Sequence, residues 1–152
     1  MYPLCKLWAK AKMAGSKTMT TNHPTQTISH EGMTAEVDEM IAPLILNLWK
    51  LGINTVLSCQ DNPSSYLIGG WIWIVFTTEQ DYEKFISIAA GEPNSIPESL
   101  YRRAMYGASS YGKCWEHESW DSDGSSEFRV SILFPQSDLQ SVEANVEGCL
   151  NS

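Results

Sequence analysis

Between positions 41 and 49 apolar residues recur at Ile41, Leu44, Ile45, Leu48 and Trp49, the i, i+3, i+4, i+7, i+8 spacing that turns one side of a helix toward a core. Asp38 is placed to cap this helix. Pro43 falls in or near its first turn, where a missing N–H does least harm, and Gly52 ends it. The period then shortens. Residues 53–58 predict a first strand and residues 71–77 a second, with Gly69-Gly70 closing the loop between them. Both alternating faces of the second strand, Trp71/Trp73/Val75 and Ile72/Ile74/Phe76, are apolar, which fits a central strand covered on both sides. Thr77-x-x-Gln80 predicts a capping box opening a helix with Tyr82, Phe85, Ile86 and Ala89 on one face, stopped at Gly91.

Residues 97–106 predict a further short helix carrying Arg102 and Arg103, whose charges fit a solvated helix face. Residues 111–120 suit a strand through their aromatics, and Asp121-Ser122-Asp123-Gly124 is a turn signal. Phe128, Val130, Ile132 and Phe134 alternate with Glu127, Arg129, Ser131 and Leu133, a half-buried strand broken by Pro135. Ser137-x-x-Gln140 caps a last helix with Leu139, Val142, Val146 and Leu150 inward. This order predicts an α+β fold, a compact sandwich of a mostly antiparallel four-stranded sheet with helices packed on it. Residues 1–33, with a short helix over 2–14, read as a flexible N-terminal extension without periodicity, and residues 34–152 as a single domain.

At 152 residues, 43% of them hydrophobic, the chain can bury a core without a disulfide or metal to hold it. No apolar run approaches the twenty or so residues of a membrane-spanning helix, so no membrane partner is expected. Residues 1–30 carry four lysines and no acid, whereas residues 31–152 carry all 18 acids against six bases. That acidic part repels polyanions and argues against a nucleic-acid partner. Cys5, Cys59, Cys114 and Cys149 are scattered without a CxxC pair, which fits reduced thiols in a cytoplasm.

The candidate chemistry centres on Ser58-Cys59-Gln60-Asp61-Asn62, a polar stretch expected at a strand end, where layered α/β folds gather side chains and amides around ligands. Ordinary turn formers beside a buried thiol are the plainer explanation. A catalytic Cys59 would need a thiolate and a base, with His30 and His117 as the histidines to supply it. Cys114-x-x-His117 has a zinc-like spacing that Cys59 and His30 could complete, although i and i+3 face opposite ways in a strand. Arg129, mid-strand, either pairs with a carboxylate such as Asp38, Glu39 or Glu127 or holds an anionic ligand. Six tryptophans and six tyrosines supply either core or a stacking wall, Trp73 among them.

Val37-Asp38-Glu39, Pro43-Leu44, Leu48-Trp49, Gly52, Thr55 and Ser58-Cys59-Gln60 together resemble a family of small uncharacterised proteins of bacterial and phage genomes. Its pattern reads V-D-x-x-x-x-P-L, L-W-x-x-G, T-x-x-S-C-Q and, late in the chain, V-x-F-P-x-x-D-L, matched here across residues 131–139. The resemblance covers about residues 30–142 and implies no activity. More distantly, Val37-Asp38-Glu39 and Ser58-Cys59 are similar to the tRNA wybutosine-synthesising methyltransferase family. Gln60-Asp61-Asn62 stands where that family has S-G-R, so its arginine is missing.

The resulting expectation is a binder of a small anionic, nucleotide-like ligand, phage-borne in one setting. Its pocket would draw on Ser58, Cys59, Gln60, Asp61, Asn62, Arg129 and Trp73, with no cofactor specified. The alternatives are a transferase or Cys59-dependent enzyme acting on a small substrate, and a protein-interaction module. A homo-oligomer is compatible with each.

Overall fold

The computed structural model of the chain describes residues 23–62, 70–106, 114–121 and 128–152. Its first helix, α1 (Ala42–Lys50), buries Leu44, Ile45, Leu48 and Trp49 as the spacing requires, with Pro43 in the opening turn. Gly52, at φ +78°, donates to the Trp49 carbonyl while Ile53 N–H returns to that of Leu48. This pair of bonds satisfies carbonyls that the last helical turn leaves open, and the left-handed position suits a glycine.

A hairpin precedes α1. Strands β1 (Thr25–His30) and β2 (Met33–Asp38) pair antiparallel around a two-residue turn in which Glu31 has φ +47° and Gly32 φ +84°. Positive φ at both central positions matches the right-handed twist of the flanking strands. Residues 25–33 therefore belong to a strand pair packed on the domain rather than to the expected extension, and residues 1–22 lie outside the described residues. The expected helix over 2–14 lies outside the described residues.

The main sheet comprises β3 (Thr55–Asn62), β4 (Trp71–Phe76), β5 (Glu116–Asp121) and β6 (Phe128–Pro135) in the order β3-β4-β6-β5, every neighbour antiparallel. β4 is an inner strand and all six of its residues are buried, as its two apolar faces predict. β6 is also inner, and residues 130–135 are all buried rather than alternating. With the remaining helices α2 (Glu79–Ala89), α3 (Leu100–Tyr106) and α4 (Leu139–Leu150), the chain is an α+β fold. The turn read at Asp121-Ser122-Asp123-Gly124 falls almost wholly outside the described residues.

Two layers of side chains follow from the sheet's alternation. On one face Ile72, Ile74, Phe76, Ile132 and Phe134 join α1, α2 and α4 in the larger core. Trp115 stacks on Phe134 at 4.7 Å between ring centres, and Phe85 closes on Phe76 at 5.1 Å. On the other face Cys59, Trp71, Trp73, Val75 and Leu133 form a second, tryptophan-rich cluster. α2 is capped by Thr78, whose hydroxyl accepts the Asp81 N–H at 3.1 Å, so the box sits one residue beyond Thr77-x-x-Gln80.

Candidate functional site

The polar stretch lies within β3 and forms no sheet-end loop. Gln60 is a node of three bonds. Its backbone N–H donates to Asp38 Oδ2 at 3.0 Å, its Oε1 accepts the Met40 N–H at 2.8 Å, and its carbonyl accepts from Gln136 Nε2 at 2.6 Å. Asp38, which the sequence suggests as a helix cap, is the last residue of β2 and 2% exposed. It pins the hairpin to the edge of the main sheet.

Cys59 pairs with Trp73 across the β3–β4 ladder, and both are fully buried on the tryptophan face. Arg129 lies toward the far end of the same sheet. Trp73 pairs with Leu133, and Arg129 is four residues back along β6, about 13 Å at the strand rise of roughly 3.3 Å per residue. Alternation puts Arg129 on the face of Glu116 and Glu118, since Glu118 pairs with Ser131 and Glu116 with Leu133. The structure thus joins Cys59 to Trp73, turns Gln60 toward the hairpin, and keeps Arg129 among carboxylates. Asp61 and Asn62 continue β3, with a register shift between Cys59 and Asn62.

His117 is held as a neutral ring. The Ala104 carbonyl can only accept, so Nε2, 2.7 Å away, carries the proton and Nδ1 accepts from the Tyr82 hydroxyl. Burial lowers the His117 pKa against an opposing contribution from the Ala104 bond, and raises that of Tyr82 with help from Glu83. Both ring nitrogens of His117 are therefore engaged in hydrogen bonds. No cluster of three metal-ligating side chains occurs among the described residues. His30 ends β1, 3.8 Å from Glu31, far along the hairpin from the Asp38–Gln60 contact.

Arg103 departs from its expected solvated place. Its guanidinium meets both Asp138 oxygens, at 2.5 and 2.8 Å, and Trp115 Nε1 donates to the same carboxylate at 3.0 Å. The Asp138 bond also raises the Arg103 pKa, against desolvation. Ion pair and indole together tie α3 and the approach to β5 onto the start of α4.

An open groove of about 100 Å³ lies between β2 and β3, lined by residues 35–37, Trp49 and residues 55–58. The backbone around it is oriented by the ladders on either side. A two-residue turn makes His30 and Met33 a hydrogen-bonded pair, so β2 directs the N–H and C=O of Thr34 and Glu36 away from β1. The Glu39 N–H bond to the Pro24 carbonyl keeps that phase. In the main sheet, Gln136 N–H bonds the Gly70 carbonyl, so Trp71, Trp73 and Val75 turn their backbone toward β3. Cys59 and Leu57 are their hydrogen-bonded partners, and Ser58 turns its N–H and C=O outward. Two strand edges, Glu36 on one and Ser58 on the other, thus face the same groove. They run in the same direction toward the Asp38–Gln60 pin. The sequence missed this groove because one of its walls is the hairpin; the Glu-Gly turn between Thr-rich stretches was its available signal.

The fold and groove define an α+β protein with an open seam between two sheets. No protein-family profile, curated protein or solved structure matches the chain.

Proposed function

We propose that the protein is an interaction module that accepts an extended segment of a partner chain between β2 and β3. The observation that carries this reading is the pair of outward strand edges at Glu36 and Ser58, opened by the groove between them. Unpaired edges offer donors and acceptors at the spacing of another strand, and strand addition is a recurrent mode of peptide recognition. One inserted strand would join the two-stranded and four-stranded sheets into a continuous sheet. Proline at Ser58 provides the test, because it deletes an N–H aimed at the groove and leaves the β4 ladder intact. Selection of displayed hexapeptides on the purified protein should yield binders that Ser58→Pro weakens about tenfold or more, at an unchanged unfolding midpoint. Absence of binders, or binders indifferent to this substitution, rejects the reading.

A second reading, a small ligand with acceptor atoms on the tryptophan face, is favoured by Trp71 Nε1 and Ser131 Oγ. Both are buried, and neither has a hydrogen-bond partner among the described residues. Such groups call for a water, a ligand or a functional reason. The anionic, nucleotide-like character expected of this ligand rests on Arg129, which shares its face with Glu116 and Glu118. Native mass spectrometry of fresh protein tests it: a non-covalent mass that Trp71→Phe releases supports the reading, and a bare chain mass in the presence of added nucleotides opposes it.

A further inference from the structure

We infer that the segment taken by the β2–β3 groove is cationic, with a Lys or Arg directly beside a compact apolar residue; this rests on the strand-insertion reading above. The side chains around the groove divide by face. Below lie Trp49 and Val37, each 5% exposed, and Trp49 Nε1 already donates to Thr55 Oγ1 at 3.0 Å. The floor therefore presents ring and methyl surface with its donor spent, which suits an apolar group. Its volume, about 100 Å³, is several times the roughly 10–15 Å³ that one water needs on the same measure, and fits a compact side chain.

On the outward side, Glu36 is exposed and is the charged residue among those lining the groove. Side chains of an inserted strand alternate, so a residue pointing down to Trp49 is flanked by residues pointing out beside Glu36. Directly opposed unlike charges on neighbouring strands attract and like charges repel. The chain's formal charge of −8 adds a long-range bias in the same sense, accelerating encounter with cations and slowing it with anions. Glu36 thus selects for charge at the position where the floor selects for an adjacent apolar neighbour.

Three capped hexapeptides test this, alternating valine with lysine, with threonine or with glutamate. Binding is read by titration at low salt, and groove occupancy by the exchange rate of the Ser58 amide, whose N–H an inserted strand would bond. The lysine peptide should bind about tenfold tighter than the glutamate peptide and slow Ser58 exchange, with the gap shrinking in salt. Glu36→Lys should reverse the order. If all three peptides protect Ser58 alike, or Glu36→Lys leaves the order unchanged, the cationic assignment is overturned while the insertion reading stands. If none protects Ser58, the insertion reading falls and this inference with it.

Discussion

Asp38 Oδ2 accepts the Gln60 N–H at 3.0 Å, so a side chain at the end of one sheet takes the place of a ladder partner at the edge of the next. Asp38→Ala should leave that buried N–H unpaired, at a cost of about 1–3 kcal/mol. Asp38→Asn, which retains an acceptor oxygen, should cost less. Urea unfolding gives both values, and amide exchange at Met40 and Gln60 should accelerate in the alanine variant well before global unfolding.

The Arg103–Asp138 pair should be far more sensitive than a surface ion pair. Asp138→Ala strands both a guanidinium and the Trp115 indole N–H; breaking a fully buried pair costs about 3–5 kcal/mol, and this part-buried one should approach the lower end of that range. Arg103→Met should be milder than Asp138→Ala, because it packs the stem without the charge. Equal or negligible losses in the two variants would contradict the role assigned to this cluster.

Stability should decline as pH falls below about 6.5, the ordinary histidine value. Folding lowers the His117 pKa, so the unfolded chain binds the proton more readily between its own pKa and the folded one. The contribution is fully present above the unfolded value and is lost as pH drops through the folded value. His117→Gln should flatten this part of the unfolding midpoint against pH, while Tyr82→Phe removes one ring contact and keeps the slope's sign.

On α4, burial and then the nearby Glu147 raise the pKa of Glu143. The ionised form is therefore disfavoured in the fold, and Glu143→Gln should stabilise the protein at neutral pH, an advantage that fades as acid protonates the wild-type side chain. Glu147→Lys turns an i,i+4 repulsion into an attraction, a gain of about 0.3–1 kcal/mol from the two small effects together. Thermal unfolding at pH 7 and pH 4 separates the two regimes.

Much of this architecture is local in origin, and that part was legible. The i, i+3, i+4 stripe of α1, Gly52 after it and the doubly apolar β4 each follow from backbone geometry and burial within a few residues. Legibility failed where the partner is distant. Asp38 has the chemistry of a cap, but its acceptor oxygen serves a strand 22 positions onward; Arg103 looks solvated until Asp138, 35 positions away, meets it. Thr77 and Thr78 offer the same capping spacing one residue apart, and only the course of the chain out of β4 chooses between them. The candidate residues divide between places for the same reason: Cys59 and Trp73 meet by strand pairing, whereas Gln60 bonds the hairpin and Arg129 shares a face with Glu116 and Glu118.

The neighbours Cys59 and Gln60 face opposite ways on β3, the thiol toward the tryptophans and the amide toward the hairpin. Loss or gain of a single residue earlier in that strand would exchange their environments, driving a carboxamide among indole rings and leaving sulfur where the Met40 N–H requires an acceptor oxygen. The strand's length between its two irregularities is consequently as constrained as its composition. Tolerated insertions should collect instead in the connections between strands, where no pleat has to keep count.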